Sequence, residues 1–212
     1  MTPARSEQEG VVKFRLEHEF GPAPCHPDLP ALMRLRDALH ARGVIGVTAE
    51  GIGYGNVSMR VGDASAGAAS FVISGTETGR LTHLDPSGCC LVTACDVERN
   101  RVWCRGPVAA SSESMTHWAV YAAHVAMGCV LHVHSRRLFA ILLQAGAPAT
   151  PADIAYGTPA MALAVRDRAA AMQDGGILVM AGHADGILVF GRDSAVARAV
   201  LWEWLDREQS GR

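Results

Sequence analysis

Apolar residues recur along the chain with two periodicities, one typical of helices and one typical of strands, and together these predict a domain of helices and strands. Helical spacing predicts a helix from near Asp28 to Ala41. Short alternating or β-branched runs predict strands at 11–20, 56–61, 71–74, 89–95 and 101–104. Clusters of Gly, Asp and Ser separate the last four runs, so we expect hairpins with antiparallel pairing.

The second half of the chain alternates helices with buried strands. We expect strands at 129–134, 177–181 and 186–190, helices at 112–126, 136–145 and 159–172, and a last helix after Asp193. Helices on both sides of a mixed sheet predict an α/β fold, a three-layer α/β/α sandwich. At 212 residues the chain fits one domain, 1–212.

Composition excludes several classes of partner. The 19 basic and 21 acidic residues nearly cancel, so we expect no nucleic-acid binding and no membrane binding. The most apolar stretch, 119–131, contains His124 and is too short for a membrane span. Six cysteines without a C-x-x-C pair indicate reduced, buried thiols in a cytoplasmic protein.

The strand at 129–134 carries the strongest chemical signal. His132 and His134 are two residues apart, so their side chains share one face of the strand. Either each imidazole is a hydrogen-bonded interior group, or a divalent metal satisfies both. His183, at the turn between the last two predicted strands, is a third candidate ligand, provided that it lies on the same side of the sheet. Three histidines with one open position are typical of a catalytic zinc.

Polar residues elsewhere suggest the rest of a site. Glu113 begins the helix before the histidine strand, where it either stabilises the first turn or moves a proton. His117, four residues later, packs or holds Glu113. Three pairs of small residues are either turn and cap residues or, taken together, a phosphate site. These pairs are Gly55-Asn56, Ser74-Gly75 and Ser111-Ser112.

Five motifs, taken in order, resemble the class II aldolase/adducin family, whose best-known type is L-fuculose-1-phosphate aldolase. They are Gly-Tyr-Gly-Asn-Val-Ser58, Ile-Ser-Gly75, Ala-Ser-Ser-Glu113, His-Val-His134 and Gly-His183. The resemblance covers about 28–208 and leaves 1–27 as an N-terminal extension with a strand. It implies a mostly antiparallel central sheet and a cyclic homotetramer with active sites between subunits.

The resemblance also implies roles for individual residues. His132, His134 and His183 would bind zinc, with manganese, iron or cobalt as alternatives. Glu113 matches the acid/base glutamate, which can also bind the metal when no substrate is present. Phosphate-binding positions of the family match Asn56, Ser74, Gly75, Ser111 and Ser112.

The implied activity is a lyase that cleaves a small phosphorylated sugar through a metal-stabilised enediolate. Epimerases, dehydratases and decarboxylases of the family use the same metal site. A non-catalytic, adducin-like interaction module is a further alternative, as is a metal that only supports folding.

The chain departs from the fuculose aldolases at two places. The connection from His134 to Thr158 is shorter, and the missing stretch is where those aldolases carry a proton-donating tyrosine for a neighbouring subunit's site. Tyr156 and Tyr54 are the candidates left near the matched motifs. Asp185, after His183, differs from the Asn-His-Gly of many members.

Overall fold

Strand Cys129–His134 shows how the sheet is built. In the computed structural model, which describes residues 13–62 and 69–209, Val130 packs into a core on one face of the sheet. Leu131 and Val133 pack into a second core on the other face. Because alternate side chains of a strand point to opposite faces, a run of apolar residues such as this one supplies both cores at once.

Eight strands form the main sheet, in the order β1-β7-β6-β5-β4-β8-β10-β9, and β2 pairs with β3. The strands are β1 Arg15–Phe20, β2 Gly46–Val47, β3 Gly53–Tyr54, β4 Asn56–Val61, β5 Ser70–Ser74, β6 Cys89–Asp96, β7 Arg101–Gly106, β8 Cys129–His134, β9 Gly176–Val179 and β10 Gly186–Gly191. The helices are α1 Leu29–Ala41, α2 Ser114–Ala123, α3 Arg136–Gln144, α4 Pro159–Ala169 and α5 Ser194–Gln209.

Helices cover the sheet on both sides. Residues of α2 and α4 pack with Phe71, Ile73 and Phe190 in one core. Residues of α1, α3 and α5 pack with Val72 and Val189 in the other. This confirms the three-layer α/β/α sandwich, and every pairing in the main sheet is antiparallel except that of β1 with β7.

The N-terminal extension is part of the sheet. β1 runs parallel to β7 at the sheet edge, with Arg15 opposite Arg101. Phe14, just before the strand, is buried in the core beneath α2 and α4. The strand prediction began at Val11, which lies outside the described residues.

Some predicted boundaries are wrong. α2 ends at Ala123 rather than at 126, because His124 is extended and its Nε2 donates a hydrogen bond to the Ala169 carbonyl at 2.9 Å. α4 ends at Ala169 rather than at 172. The two-residue strands β2 and β3 carry no periodic pattern, and the sequence did not predict them. Of the six cysteines, Cys25 is exposed rather than buried, and all six are free thiols.

Candidate active site

Two histidines project from β8 on the face covered by α2. His132 pairs in register with Asn56 of β4 and with Leu188 of β10, so it sits in the middle of the sheet. His134 pairs with Gly186 at the end of the ladder and is half-buried, whereas His132 is 1% exposed. The Nε2 atoms of the two rings are 2.9 Å apart.

His183 reaches the same place from the turn between β9 and β10. Its backbone N–H donates to the Met180 carbonyl at 2.9 Å, and its carbonyl accepts from the Gly186 N–H at 3.0 Å. The ring lies so close to Gly186 that any side chain there would collide with it. Gly182 likewise packs directly on the Ile154 carbonyl, which fixes this turn against the preceding connection. As the sequence analysis required, His183 lies on the same side of the sheet as the other two histidines.

The geometry of the histidine cluster, His132, His134 and His183, fits a metal ion. Nε2 of His132 is 3.2 Å from Nε2 of His183 and 2.9 Å from Nε2 of His134. Two nitrogens on a tetrahedral zinc ion would be about 3.3 Å apart. One ring nitrogen from each residue lies within 4.8 Å of the others, so the three could hold one ion.

Burial keeps these imidazoles neutral, which is the form that binds metals. It lowers the pKa of His134 to about 4. The pKa of His132 and of His183 also lies well below the ordinary value, first through burial and then through neighbouring histidines.

Glu113 lies at the N-cap position of α2, facing the same region. Its Oε2 accepts a hydrogen bond of 2.6 Å from the Thr116 hydroxyl. Its Oε1 is buried and has no hydrogen-bond partner within the described part of the chain. Burial raises the pKa of Glu113 to about 7, although the Thr116 hydrogen bond and the charge of Lys13 act in the opposite direction. A carboxyl group with such a pKa can take up or release a proton near neutral pH.

A cavity beside His132 brings most of the proposed phosphate-binding residues together. Ser111 Oγ accepts hydrogen bonds from Asn56 Nδ2 at 2.9 Å and from the Glu113 N–H at 3.3 Å. Gly55 has a positive φ of 76°, and a side chain there would collide with Ile45. We call this cavity the cradle; its lining includes Gly55, Asn56, Gly75, Ser111, Ser112, Glu113 and His132.

Ser74, the remaining one of the six proposed phosphate-binding residues, does not line the cradle. Ser74 is 1% exposed and is not among the residues that line the cradle. Its hydroxyl accepts a hydrogen bond from the Val57 N–H at 3.1 Å and so ties β5 to β4.

Sequence reasoning missed one wall of the cradle. The segment Thr76–Gly79 lines it, and Glu77 has a left-handed backbone with φ of 58°. Arg36 of α1, although charged, is 1% exposed and donates a hydrogen bond of 2.7 Å to the Thr78 carbonyl. The signal in the sequence was the pair of glycines, Gly75 and Gly79, that flanks three polar residues.

One of the two predictions for His117 was that it holds Glu113, but its ring contacts Ser58 instead. Its Nδ1 and the Ser58 hydroxyl are 2.7 Å apart, and that hydroxyl is also 2.7 Å from the Tyr121 hydroxyl. His117 therefore joins α2 to the centre of β4, and burial lowers its pKa to about 3.

The two candidate tyrosines differ in their surroundings. The Tyr54 hydroxyl donates to the Gly43 carbonyl at 3.1 Å, while its ring lies 5.3 Å from the His134 ring. Tyr156 is 3% exposed, and its ring centroid is 4.3 Å from that of His183. Asp185 has a φ of 60°, a conformation that Asp tolerates better than most residues.

The sheet order and the helix layers are those of the class II aldolase fold. Residues 47–207 match the Class II Aldolase and Adducin N-terminal domain, and the chain belongs to this family. A comparison with curated proteins gave no match.

Solved structures share this fold at low sequence identity. YgbL from Klebsiella pneumoniae, described as a putative aldolase/epimerase/decarboxylase, has a TM-score of 0.62 and 18% identity, over 85% of this chain and 86% of that chain. A sugar-phosphate aldolase from Thermotoga maritima has a TM-score of 0.59 and 16% identity, covering 86% and 95%. L-fuculose-1-phosphate aldolase from Thermus thermophilus has a TM-score of 0.54 and 23% identity, covering 82% and 85%.

The helices were also compared with the length and apolar character of membrane-spanning segments. None of those within residues 13–62 and 69–209 combines the length and the apolar character that a membrane span requires.

Proposed function

We propose that the protein is a metal-dependent lyase of the aldolase type that acts on a small phosphorylated sugar. The observation that carries the proposal is the convergence of three neutral imidazoles next to a cavity that Glu113 and His132 both line, with the Glu113 Oε1 left without a hydrogen-bond partner among the described residues. Zinc is the metal that we propose, with manganese, iron and cobalt as alternatives, because imidazole ligands discriminate weakly among them.

His132, His134 and His183 would hold the ion from one side of the sheet. When bound, a divalent ion supplies Lewis-acid stabilisation of the negative charge that develops on the substrate as a carbon–carbon bond breaks. The β8 ladder fixes two of these rings, and the contact with Gly186 fixes the third. The ligands are therefore preorganised, which reduces the reorganisation needed during the reaction.

Glu113 would move the proton that the cleavage requires, through its Oε1. Its pKa of about 7 means that both protonation states are accessible near neutral pH. The Thr116 hydroxyl holds Oε2, and Oε1 has no hydrogen-bond partner among the described residues.

The cradle would bind the phosphate of the substrate. It offers the backbone N–H of Gly55 and the hydroxyls of Ser111 and Ser112, which suit phosphate oxygens. Gly75 lines the cradle, but its N–H donates to the Gly88 carbonyl at 2.8 Å. Asn56 positions Ser111 by its hydrogen bond of 2.9 Å. Ser74 would support this cradle from behind. Binding at this end would orient the rest of the sugar towards the histidines.

Related reactions use the same groups. An epimerase, a dehydratase or a decarboxylase would need the same ion and the same glutamate, so these residues do not choose among them. A non-catalytic, adducin-like module would not need the histidine cluster or a buried Glu113 with a raised pKa, and both support an enzyme. A metal that only supports folding predicts unfolding on chelation rather than loss of turnover.

The oligomeric state is predicted from the family resemblance, and the cellular location is predicted from the cysteines. We propose a cyclic homotetramer with sites between subunits, in the cytoplasm.

The experiment is a substrate panel followed by NMR. Metal-loaded protein is incubated with ketose phosphates and tetronate phosphates, and the same protein treated with a chelator is the control. Two fragments support the lyase, while an inverted centre, lost water or lost carbon dioxide would each select another reaction. No metal-dependent conversion of any compound would contradict the proposed class of substrate.

A further inference from the structure

A charged side chain lies behind one wall of the cradle and is closed off from water. Arg36 of α1 is 1% exposed, and among the Arg and Lys residues that the structure describes it alone is buried. A guanidinium stays charged in proteins, and removing a charge from water is costly unless strong partners compensate. The place of Arg36 in the fold therefore calls for an explanation.

The partners of Arg36 are backbone carbonyls of the cradle wall. Its Nη2 donates a hydrogen bond of 2.7 Å to the Thr78 carbonyl and a longer one of 3.5 Å to the Gly79 carbonyl. Thr78 and Gly79 both line the cradle, whereas Arg36 does not. The guanidinium is therefore separated from the cavity by one layer of backbone.

The peptide unit between Thr78 and Gly79 is oriented so that the charge can act across it. In a planar trans peptide the C=O and the N–H point in opposite directions. Because the Thr78 C=O points to Arg36, the Gly79 N–H points away from it. Gly53, another lining residue of the cradle, lies close by, since a Cβ atom there would be 3.4 Å from the Gly79 nitrogen. The guanidinium thus meets the negative end of this peptide dipole and reinforces its positive end.

The negative partner of Arg36 lies away from the cavity. Asp37 Oδ1 is 3.3 Å from Arg36 Nη1 and also accepts a hydrogen bond of 3.1 Å from the Leu84 N–H. Asp37 Oδ2 contacts Nδ1 of His83, whose side chain is exposed. Asp37, His83 and Leu84 are not among the residues that line the cradle. The ion pair therefore presents its positive end to the wall.

The lining of the cradle has no cationic side chain of its own. It includes the carboxyl groups of Glu77 and Glu113, and no Arg or Lys is among the lining residues. An anion as highly charged as phosphate is stabilised by fixed positive potential, which oriented peptide dipoles and nearby buried charges supply. Arg36 is placed to supply it without touching the ligand.

We propose that Arg36 is a positioning residue for phosphate, which holds the wall Thr76–Gly79 and supplies positive potential to the cradle through the Thr78–Gly79 peptide unit. This rests on the proposed function, because it takes the cradle as the phosphate site. Asp37 then opposes Arg36, since its carboxylate weakens that potential. If Arg36 only held the wall in shape, loss of the Asp37 charge would leave phosphate binding unchanged or weaken it. The two roles therefore differ in the sign of the effect at Asp37.

The test is a calorimetric titration with inorganic phosphate. It is done on metal-loaded wild type, Arg36→Gln, Arg36→Lys, Asp37→Asn and Arg34→Gln, and repeated after chelation to separate phosphate in the cradle from phosphate on the ion. Arg34 is the matched control, since it lies on the same helix but is exposed. Circular dichroism and metal content are measured for every variant.

We expect Arg36→Gln to weaken phosphate binding roughly tenfold, and Arg36→Lys, which retains the charge, to keep most of the affinity. Asp37→Asn keeps an oxygen that can accept from the Leu84 N–H, and it should tighten phosphate binding about two- to threefold. Arg34→Gln should match wild type.

Wild-type affinity in Arg36→Gln, or Asp37→Asn binding no tighter than wild type, would overturn the role of Arg36. If Arg36→Gln does not fold, the sign of the Asp37→Asn effect decides. In both cases wild type still binds phosphate, so the proposed function stands. Chelated wild type that binds no phosphate would instead contradict the cradle as the phosphate site, and with it both the proposed function and the role of Arg36.

Discussion

The two faces of the main sheet differ in what they bury. The face covered by α1, α3 and α5 buries an apolar core that includes Leu131, Val133 and Val189, and the charged residue of α1, Arg36, is buried through its hydrogen bond to the Thr78 carbonyl. The face covered by α2 and α4 also buries an apolar core, but it additionally buries the polar side chains of Glu113 and His132 at the cradle. Both faces are supplied by the same strands, because β8 alternates between them.

This difference shows how one strand can separate stability from chemistry. Leu131 lies between Val130 and His132 in sequence but faces away from both. Changes on the apolar face should therefore alter the free energy of unfolding with little effect on the site, and changes in the histidine cluster should do the reverse. Four measurements can break or sharpen this contrast.

The largest effect is expected from His134→Ala. Removing one of three proposed ligands should reduce bound metal to background, since loss of even a supporting group near a metal costs 10- to 100-fold in affinity, roughly. The protein should stay folded, because His134 is half-buried at the end of the ladder. Elemental analysis and circular dichroism measure the two properties. His124→Ala, outside the cluster, should keep its metal, and full metal occupancy in His134→Ala would exclude the assigned ligand.

Glu113→Gln should keep the metal and lose turnover. Loss of a group that moves a proton typically lowers kcat by about 10²- to 10⁴-fold. Glutamine can still accept the hydrogen bond from Thr116, so the local structure should persist. Steady-state kinetics on whichever panel compound reacts gives the ratio. Glu98→Gln, on an exposed turn, is the control, and equal rates for Glu113→Gln and wild type would remove the proposed role.

Leu131→Ala tests the apolar face. Leu131 is fully buried, and truncation should lower the free energy of unfolding by about 2–5 kcal/mol. Urea denaturation measures this, and metal content should be unchanged. Leu143→Ala, at a residue 44% exposed, should change stability by less than about 0.5 kcal/mol. Metal loss in Leu131→Ala without loss of stability would contradict the separation of the two faces.

The smallest effect is a dependence of stability on pH. In the metal-free protein, burial raises the pKa of Glu113 from 4.5 to about 7, so the folded state holds an extra proton between these values. Stability from this group is therefore present below pH 4.5 and is lost as the pH rises through 7. Glu113→Gln should match wild type near pH 4 and be more stable by about 3 kcal/mol at about pH 8. Denaturation at both values checks this, and an equal difference at the two pH values would refute it.

Much of the fold followed from periodicity. The order of helices and strands is as predicted, because each long element carries its own apolar pattern and caps such as Thr158, whose hydroxyl accepts from the Met161 N–H at 3.2 Å. Periodicity did not give the parallel pairing of β1 with β7, since Arg15 and Arg101 are far apart in sequence. It also did not give β2 and β3, which are too short to show a pattern.

The candidate site likewise contains some residues that the sequence predicts and others that only the structure reveals. His132 and His134 were readable because two-residue spacing on a strand fixes a common direction. That His183 lies beside them depends on a turn, and only the tertiary structure shows it. The role of Arg36 was hidden, since a charged residue in an amphipathic helix is usually exposed.

The parallel edge strand also bears on the order of folding. β1 can pair only after β7 exists, and the contact closes a long loop, which is entropically slow. β8, which carries two of the histidines, is not part of a hairpin either, because it pairs with β4 (Asn56 opposite His132) and with β10 (Gly186 opposite His134). The edge strand and the face that carries the histidines therefore both depend on contacts between distant parts of the chain, so a nascent chain presents neither until most of the sheet has been synthesised.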